Sequence, residues 1–175
     1  MIGCLGLAWL FSLGTGHGQE VQPSEYKIKA AFLFNFAKFI EWPPESFAAT
    51  NSPMIIGILG DNPFGGDLEE IVRNKSINNR TFVIKEMHSL SEAAHCHLLF
   101  ISNSEKKRFA EVFEGVRGAS VLTVGETDGF TDAGGMINFV REGKKLRFQI
   151  NHEAATKVKL KISSKLLALA LTTGR

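Results

Sequence analysis

Three histidines and a cysteine lie close together in the sequence and are the first candidates for metal binding. His95, Cys96 and His97 are consecutive, and His88 precedes them by a short segment. Side chains alternate between the two faces of a β-strand, so the side chains of His95 and His97 would lie on the same face. A structural zinc ion needs four ligands and a catalytic one typically three, and no nearby carboxylate has suitable spacing. We therefore predict no metal or cofactor site, and we interpret Cys96 as a buried, unreactive thiol.

A glycine-rich segment and a serine are the next candidates for chemistry. The segment LGDNPFGG (59–66) follows an apolar run and precedes an amphipathic one, the position at which open α/β sheets bind phosphate. Its glycines do not fit the dinucleotide fingerprint, and it has no Walker lysine. Ser104 begins a Ser-x-x-Lys match that is most simply a helix cap. No nucleophile, base and orienting residue can be assembled, so the sequence predicts a protein that is not an enzyme.

The elements that would position these residues follow from the apolar pattern. Four short apolar runs alternate with two amphipathic stretches that begin near Pro63 and Ser104; the runs are 54–60, 81–87, 96–102 and 120–125. This order predicts an α/β fold of three layers with a mostly parallel sheet.

The carboxyl-terminal part departs from that rhythm. Residues 135–151 alternate apolar and polar side chains around Glu142 and Gly143, which predicts an antiparallel hairpin. Asn151 is expected to cap a short helix. A last helix is expected to face the core with four apolar side chains, those of Ile162, Leu166, Leu169 and Ala170.

The amino terminus and the net charge bear on location and partners. Residues 2–13 form an uncharged apolar stretch followed by small residues, which is typical of a secretory signal peptide and too short to cross a bilayer. We predict a signal peptide over residues 1–18, a single domain over residues 19–175, and a periplasmic protein. The formal charge of +2 gives no support to nucleic-acid binding.

The segment AAFLFNFAKFIEWP (30–43) is expected to be mainly a core helix that ends before Pro43. Charged residues interrupt it too often for a membrane span. At about 100° per residue, one face carries most of its apolar side chains and is predicted to be core: Ile28, Phe32, Phe36 and Phe39. Phe34 falls between Lys27 and Lys38, where burial by its own domain is least expected. We predict that Phe34 and Lys38 contact a partner.

Several ordered motifs resemble the YfiR family of exported bacterial proteins. They are YKIKAAFLFNFAKFIEWP (26–43), CHLLFIS (96–102), GGMINFV (134–140), LRFQIN (146–151) and LKISSKLLALA (160–170). The resemblance implies a periplasmic α/β domain without catalytic activity. It further implies that the protein represses an inner-membrane diguanylate cyclase by binding to its periplasmic sensor region, and that an outer-membrane lipoprotein sequesters the repressor. Such a system would control cyclic di-GMP and biofilm formation.

Alternatives to this interpretation stay open on the sequence alone. Some members of that family rely on intramolecular disulfides, and here Cys96 would have no partner once the signal peptide is removed. A homodimer is a further option. The basic hairpin around Lys144 and Arg147 is a second candidate partner surface. A small-ligand sensor or carrier, using the cleft at the carboxyl ends of the strands, is the alternative function.

Overall fold

The computed structural model describes residues 24–171, and the predicted signal peptide lies outside this range. The first helix, α1, spans Glu25–Phe39. Ser24 caps it, since the Ser24 hydroxyl accepts a hydrogen bond of 3.1 Å from the Lys27 N–H. At Ile40 the backbone becomes extended, shortly before Pro43. Within residues 24–171, none of the helices has the length and apolar character needed to cross a bilayer.

Nine strands and five further helices follow α1 in the described part of the chain. The strands are β1 (Ile40–Glu41), β2 (Met54–Leu59), β3 (Ser76–Ile77), β4 (Arg80–Met87), β5 (Leu98–Ile101), β6 (Leu122–Gly125), β7 (Ile137–Glu142), β8 (Lys145–Ile150) and β9 (Lys161–Ile162). The helices are α2 (Asp67–Val72), α3 (Leu90–Ala93), α4 (Phe109–Gly115), α5 (His152–Lys157) and α6 (Ser164–Leu167). Short 3₁₀ turns span Pro44–Ser46 and Asn103–Arg108.

Seven of these strands form one sheet in the order β3-β4-β2-β5-β6-β7-β8. The five central strands, β4, β2, β5, β6 and β7, are parallel to one another. The two end strands, β3 and β8, are antiparallel to the strands beside them. A separate two-stranded sheet pairs β1 with β9. The predicted α/β class, mostly parallel sheet and carboxyl-terminal hairpin are therefore confirmed.

Helices cover both faces of the sheet and give the predicted three layers. One apolar core packs α1, α2, α5 and α6 against one face and contains the fully buried Leu33 and Phe36. The other packs α3 and α4 against the opposite face, around Phe130 and Val112. Each central strand contributes alternate side chains to the two cores, which explains why its sequence is apolar without interruption.

The predicted helices are shorter in the structure. The turn after Pro63 is not helical, and α2 begins only at Asp67. The α4 helix begins at Phe109, after a 3₁₀ turn, so the expected capping by Ser104 is wrong. The Ser104 hydroxyl instead accepts a hydrogen bond of 3.0 Å from the Asp61 N–H. Asn151 does cap α5, through a bond of 3.0 Å from the Ala154 N–H.

Two side chains depart from the predicted core face. Ile28 is 39% exposed and Leu169 is 62% exposed, although both were expected in the core. Lys29, the next residue after Ile28, is buried at 5% exposure. The β6–β7 end of the sheet supplies a carboxylate for this lysine, as described below. Leu169 follows the end of the four-residue α6, where the expected helix has stopped.

Candidate functional site

The cleft at the carboxyl ends of β2 and β5 is filled by the chain itself. β2 and β5 are neighbours in the sheet, but the chain continues from β2 to β4 on one side and from β5 to β6 on the other. Ligand clefts in open α/β sheets usually lie at such a point, where the strand order reverses. Gly60 has φ +86° and no room for a Cβ, because the Ser104 hydroxyl and the Ser102 side chain pack against it. The Ser102 N–H also donates to the Leu59 carbonyl at 2.9 Å. Gly60, the first glycine of the segment, therefore serves close packing at this cleft.

The histidines and the cysteine do not converge. His95 is exposed, and its Nδ1 lies 2.7 Å from the Ser91 carbonyl oxygen, whereas His97 is 5% exposed. The Cys96 thiol donates to the Ala93 carbonyl at 3.0 Å, and burial raises its pKa to about 12. Among residues 24–171, no group of three His, Cys, Asp or Glu side chains is placed to hold a metal ion.

His97 has a structural position between strand β2 and the 3₁₀ turn Pro44–Ser46. Its Nδ1 accepts a hydrogen bond of 2.9 Å from the Ile55 N–H, and its Nε2 lies 3.1 Å from the Ser46 carbonyl oxygen. These bonds place the ring proton on Nε2. The ring stacks on Phe47 at 4.4 Å, and the Arg80 guanidinium lies 3.6 Å above the other face of Phe47. Burial lowers the pKa of His97, and the nearby Arg80 charge lowers it further.

We expect His97 to make the fold sensitive to mild acid. Because its folded-state pKa is lowered, the unfolded chain takes up a proton first as the pH falls below about 6.5, and stability is lost in that range. His97→Gln should cost about 1–3 kcal/mol at neutral pH, since a buried hydrogen bond is lost. It should also flatten the acid dependence between neutral pH and about 5.5, above the range in which carboxylates titrate. Urea denaturation across this range measures both effects. His95→Gln, at an exposed site, is the matched control, and an unchanged acid dependence in His97→Gln would contradict the prediction.

A buried cluster of charges joins α1 to the carboxyl end of β6. The Lys29 ammonium lies 2.6 Å from Glu126 and 2.7 Å from Glu25. Tyr26 donates to Glu126 at 3.3 Å, and Arg141 on β7 pairs with Glu25. Burial lowers the pKa of Lys29, but its bonds to the two carboxylates outweigh burial, so the net pKa is raised. The hydrogen bond from Lys29 lowers the pKa of Glu25.

This cluster lines a groove of about 320 Å³, yet its charges satisfy one another. Lys29 is 6% exposed and Glu126 is 10% exposed as side chains, so the pair is held away from water. An acid–base catalyst would need one of these groups free for a substrate. The arrangement holds α1 against the sheet.

The predicted partner residue Phe34 is half-buried. Its ring lies 5.6 Å from Phe82 on β4, and the Lys75 ammonium is 4.7 Å from its centre. The domain thus covers part of a ring that the helical projection left uncovered. Lys38, one turn further along α1, is exposed, and its ammonium lies 6.0 Å from the Phe39 ring.

The other two predicted partner residues lie elsewhere. Lys144 is exposed in the turn of the β7–β8 hairpin, beside Gly143 with φ +61°. Arg147 is half-buried, and its Nε donates to Glu142 at 3.3 Å. Three strands separate β4, which contacts Phe34, from this hairpin. The structure therefore divides the four predicted residues between two surfaces at opposite ends of the sheet.

The sequence analysis missed the Lys29 cluster and the stack of Arg80, Phe47 and His97. A signal for the first was present, because Lys29 projects next to Phe36 on the core side of α1 and a buried cation needs a carboxylate. The second had no local signal, since its three members come from distant parts of the chain.

Comparison with known proteins settles the family. The profile of the YfiR/HmsC-like family matches residues 26–171, nearly the whole described chain. The protein belongs to this family. No curated protein matches the sequence. Membership in the YfiR/HmsC-like family is consistent with a periplasmic regulator, and members of the family are regulatory rather than catalytic.

Proposed function

We propose that this protein is a non-enzymatic periplasmic regulator that binds the periplasmic sensor region of an inner-membrane diguanylate cyclase and represses the enzyme. The family match over residues 26–171 carries this proposal. The structure is compatible with it, because the polar side chains that first suggested chemistry are engaged within the fold. Ser104 and His97 each accept a backbone hydrogen bond, and Cys96 donates one.

The two candidate surfaces suit a protein that meets more than one partner. Phe34 contacts β4 and Lys38 lies one turn further along α1, whereas Lys144 and Arg147 belong to the hairpin at the far end of the sheet. We assign the first surface to the cyclase sensor region, since a half-exposed aromatic ring is a suitable anchor. The basic hairpin would then be available to a second protein, such as an outer-membrane lipoprotein, without overlap.

A deletion strain tests the function. Loss of the gene should raise cellular cyclic di-GMP and biofilm formation, and the wild-type gene should restore the lower level. Purified protein should bind the isolated sensor region of the cyclase that it represses. Unchanged cyclic di-GMP in the deletion strain would contradict the proposal.

Charge reversals separate the two surfaces. Lys38→Glu should weaken repression if the first surface binds the cyclase, and Lys144→Glu should leave repression intact. Lys107→Glu, at an exposed position on a 3₁₀ turn, is the matched control. If Lys144→Glu alone abolished repression, the assignment of the surfaces would be reversed.

The small-ligand alternative has less support. Its expected cleft at the ends of β2 and β5 is packed by Ser102 and Ser104 against Gly60. A small molecule retained by the protein through purification would favour it.

The proposed location makes a separate prediction. If the apolar stretch 2–13 is a signal peptide, protein from the periplasmic fraction should begin near residues 17–19, because signal peptidase removes such segments. Mass spectrometry of the intact protein measures this. A cytoplasmic protein that retains Met1 would contradict export.

A further inference from the structure

The outer edge of β4 is largely unpaired in the described part of the chain. β4 runs from Arg80 to Met87, and only the two-residue β3 lies beyond it in the sheet. β3 pairs with Arg80 and Thr81, so the edge from Phe82 onwards has no neighbouring strand among residues 24–171. An edge of this kind presents backbone N–H and C=O groups that can pair with another strand.

The β3–β4 turn fixes which backbone groups point outwards. Asn78 and Asn79 both have positive φ, 51° and 64°, which is the conformation of a two-residue hairpin turn. The residues that flank such a turn exchange both hydrogen bonds, so the N–H and C=O of Arg80 point towards β3. Alternation then directs the same groups of Phe82, Ile84 and Glu86 towards the open edge.

Both sheet faces beside this edge carry accessible apolar surface. On the α1 face, Phe82 and Ile84 are half-buried, and Phe82 packs against Phe34. On the other face, Val83 is 36% exposed because the four-residue α3 covers little of the sheet. A groove of about 610 Å³ adjoins it, bordered by Lys85.

A second copy of this chain does not fit the edge. An antiparallel copy centred on Ile84 would bring Met87 of that copy opposite Thr81, where β3 already lies. Centring the copy on Lys85 or on Glu86 would place two like charges directly opposite each other, which is destabilising. The edge is thus protected against self-pairing but open to a strand with complementary charges.

We propose that the open edge of β4 is a strand-addition site for an extended segment of a partner protein. The segment adds about five residues alongside Phe82–Glu86, since β3 limits the length of the site. An acidic residue faces Lys85 and apolar residues face Phe82 and Ile84. The inference rests on the proposed function only for the identity of the partner. It predicts backbone hydrogen bonds between the partner and β4, which docking of a partner on the Phe34 side chain would not produce.

Amide hydrogen exchange of the full chain, resolved by residue with NMR, tests the site. In the free protein, the amides of Val83 and Lys85 should be protected by β2, whereas those of Ile84 and Glu86 should exchange freely. Protection of the Ile84 amide in the free protein would overturn the proposal, because another part of the chain would then occupy the edge.

Two probes are then added separately. The first is the peptide acetyl-Lys-Glu-Val-Thr-Ile-amide at millimolar concentration, with its reverse sequence for parallel alignment. The second is the purified sensor region of the cyclase. Binding at the edge should slow exchange of the outward amides, such as that of Ile84, at least about tenfold and leave that of Val83 unchanged. The peptide with an N-methylated central valine is the matched control, and it should have no effect.

The outcomes distinguish this inference from the proposed function. If the sensor region binds but neither it nor a peptide protects the Ile84 amide, the strand-addition site is overturned and the regulatory function stands. If only a peptide protects the outward amides, the site stands and the cyclase is the wrong partner. If neither probe protects them, the site is overturned.

Discussion

Phe36→Ala is expected to lower the free energy of unfolding by about 3–5 kcal/mol, because it leaves a cavity in the core. The Phe36 side chain is fully buried between α1 and the β7–β8 hairpin. Its ring lies 5.1 Å from Phe148 and 5.6 Å from Phe139. Urea denaturation followed by circular dichroism measures the loss.

Phe34→Ala is the matched variant on the same helix. Its ring is half-buried and contacts Phe82, so we expect a loss of about 1–2 kcal/mol, clearly smaller than for Phe36→Ala. If Phe34 is also a partner anchor, Phe34→Ala should weaken binding of the sensor region by about 2 kcal/mol or more after correction for folding. Equal destabilisation of the two variants, with normal binding by Phe34→Ala, would make Phe34 an ordinary core residue.

Glu126→Ala should cost about 3–5 kcal/mol of stability, because it leaves the buried ammonium of Lys29 with Glu25 alone. Thermal and urea denaturation at neutral pH measure the loss. Lys29→Met combined with Glu126→Leu should recover much of it, since removing both charges eliminates the unpaired buried cation.

An exposed ion pair between α1 and α2 supplies the control. Lys27 lies 3.1 Å from Glu70, and the two side chains are 38% and 59% exposed. Glu70→Ala should therefore change stability by less than about 1 kcal/mol. A loss for Glu126→Ala as small as that for Glu70→Ala would show that the buried cluster does not hold α1 against the sheet.

The sequence was informative wherever local pattern and burial agree. The apolar runs that became β2, β5 and β6 were predicted correctly because a strand buried on both faces is apolar throughout. The β7–β8 hairpin was predicted because apolar and polar side chains alternate on both sides of Gly143, which has the positive φ that a tight turn needs. Asn151 was identified as a cap because capping depends only on the next few residues.

Predictions that depended on distant residues failed or were incomplete. The burial of Lys29 requires Glu126, almost a hundred positions away, and no local pattern reveals that carboxylate. Phe34 is half-covered because Phe82 reaches it from β4, which a projection of α1 alone cannot include. The strand order likewise was needed to place the two candidate partner surfaces at opposite ends of the sheet. Side chains on different elements are brought together by topology, so local periodicity cannot place them.

The pairing of β1 with β9 has a consequence for how the chain folds as it is made. Ile40, directly after α1, pairs with Ile162, and the Ser163 N–H donates to the Phe39 carbonyl at 3.0 Å. A chain that emerges amino end first therefore exposes its most aromatic helix long before the segment that fastens it has appeared. Closing such a long loop is slow, and apolar surface left open during that time favours aggregation. A chain that ends before Ile162 is expected to leave the carboxyl end of its first helix without the strand that pairs beside it.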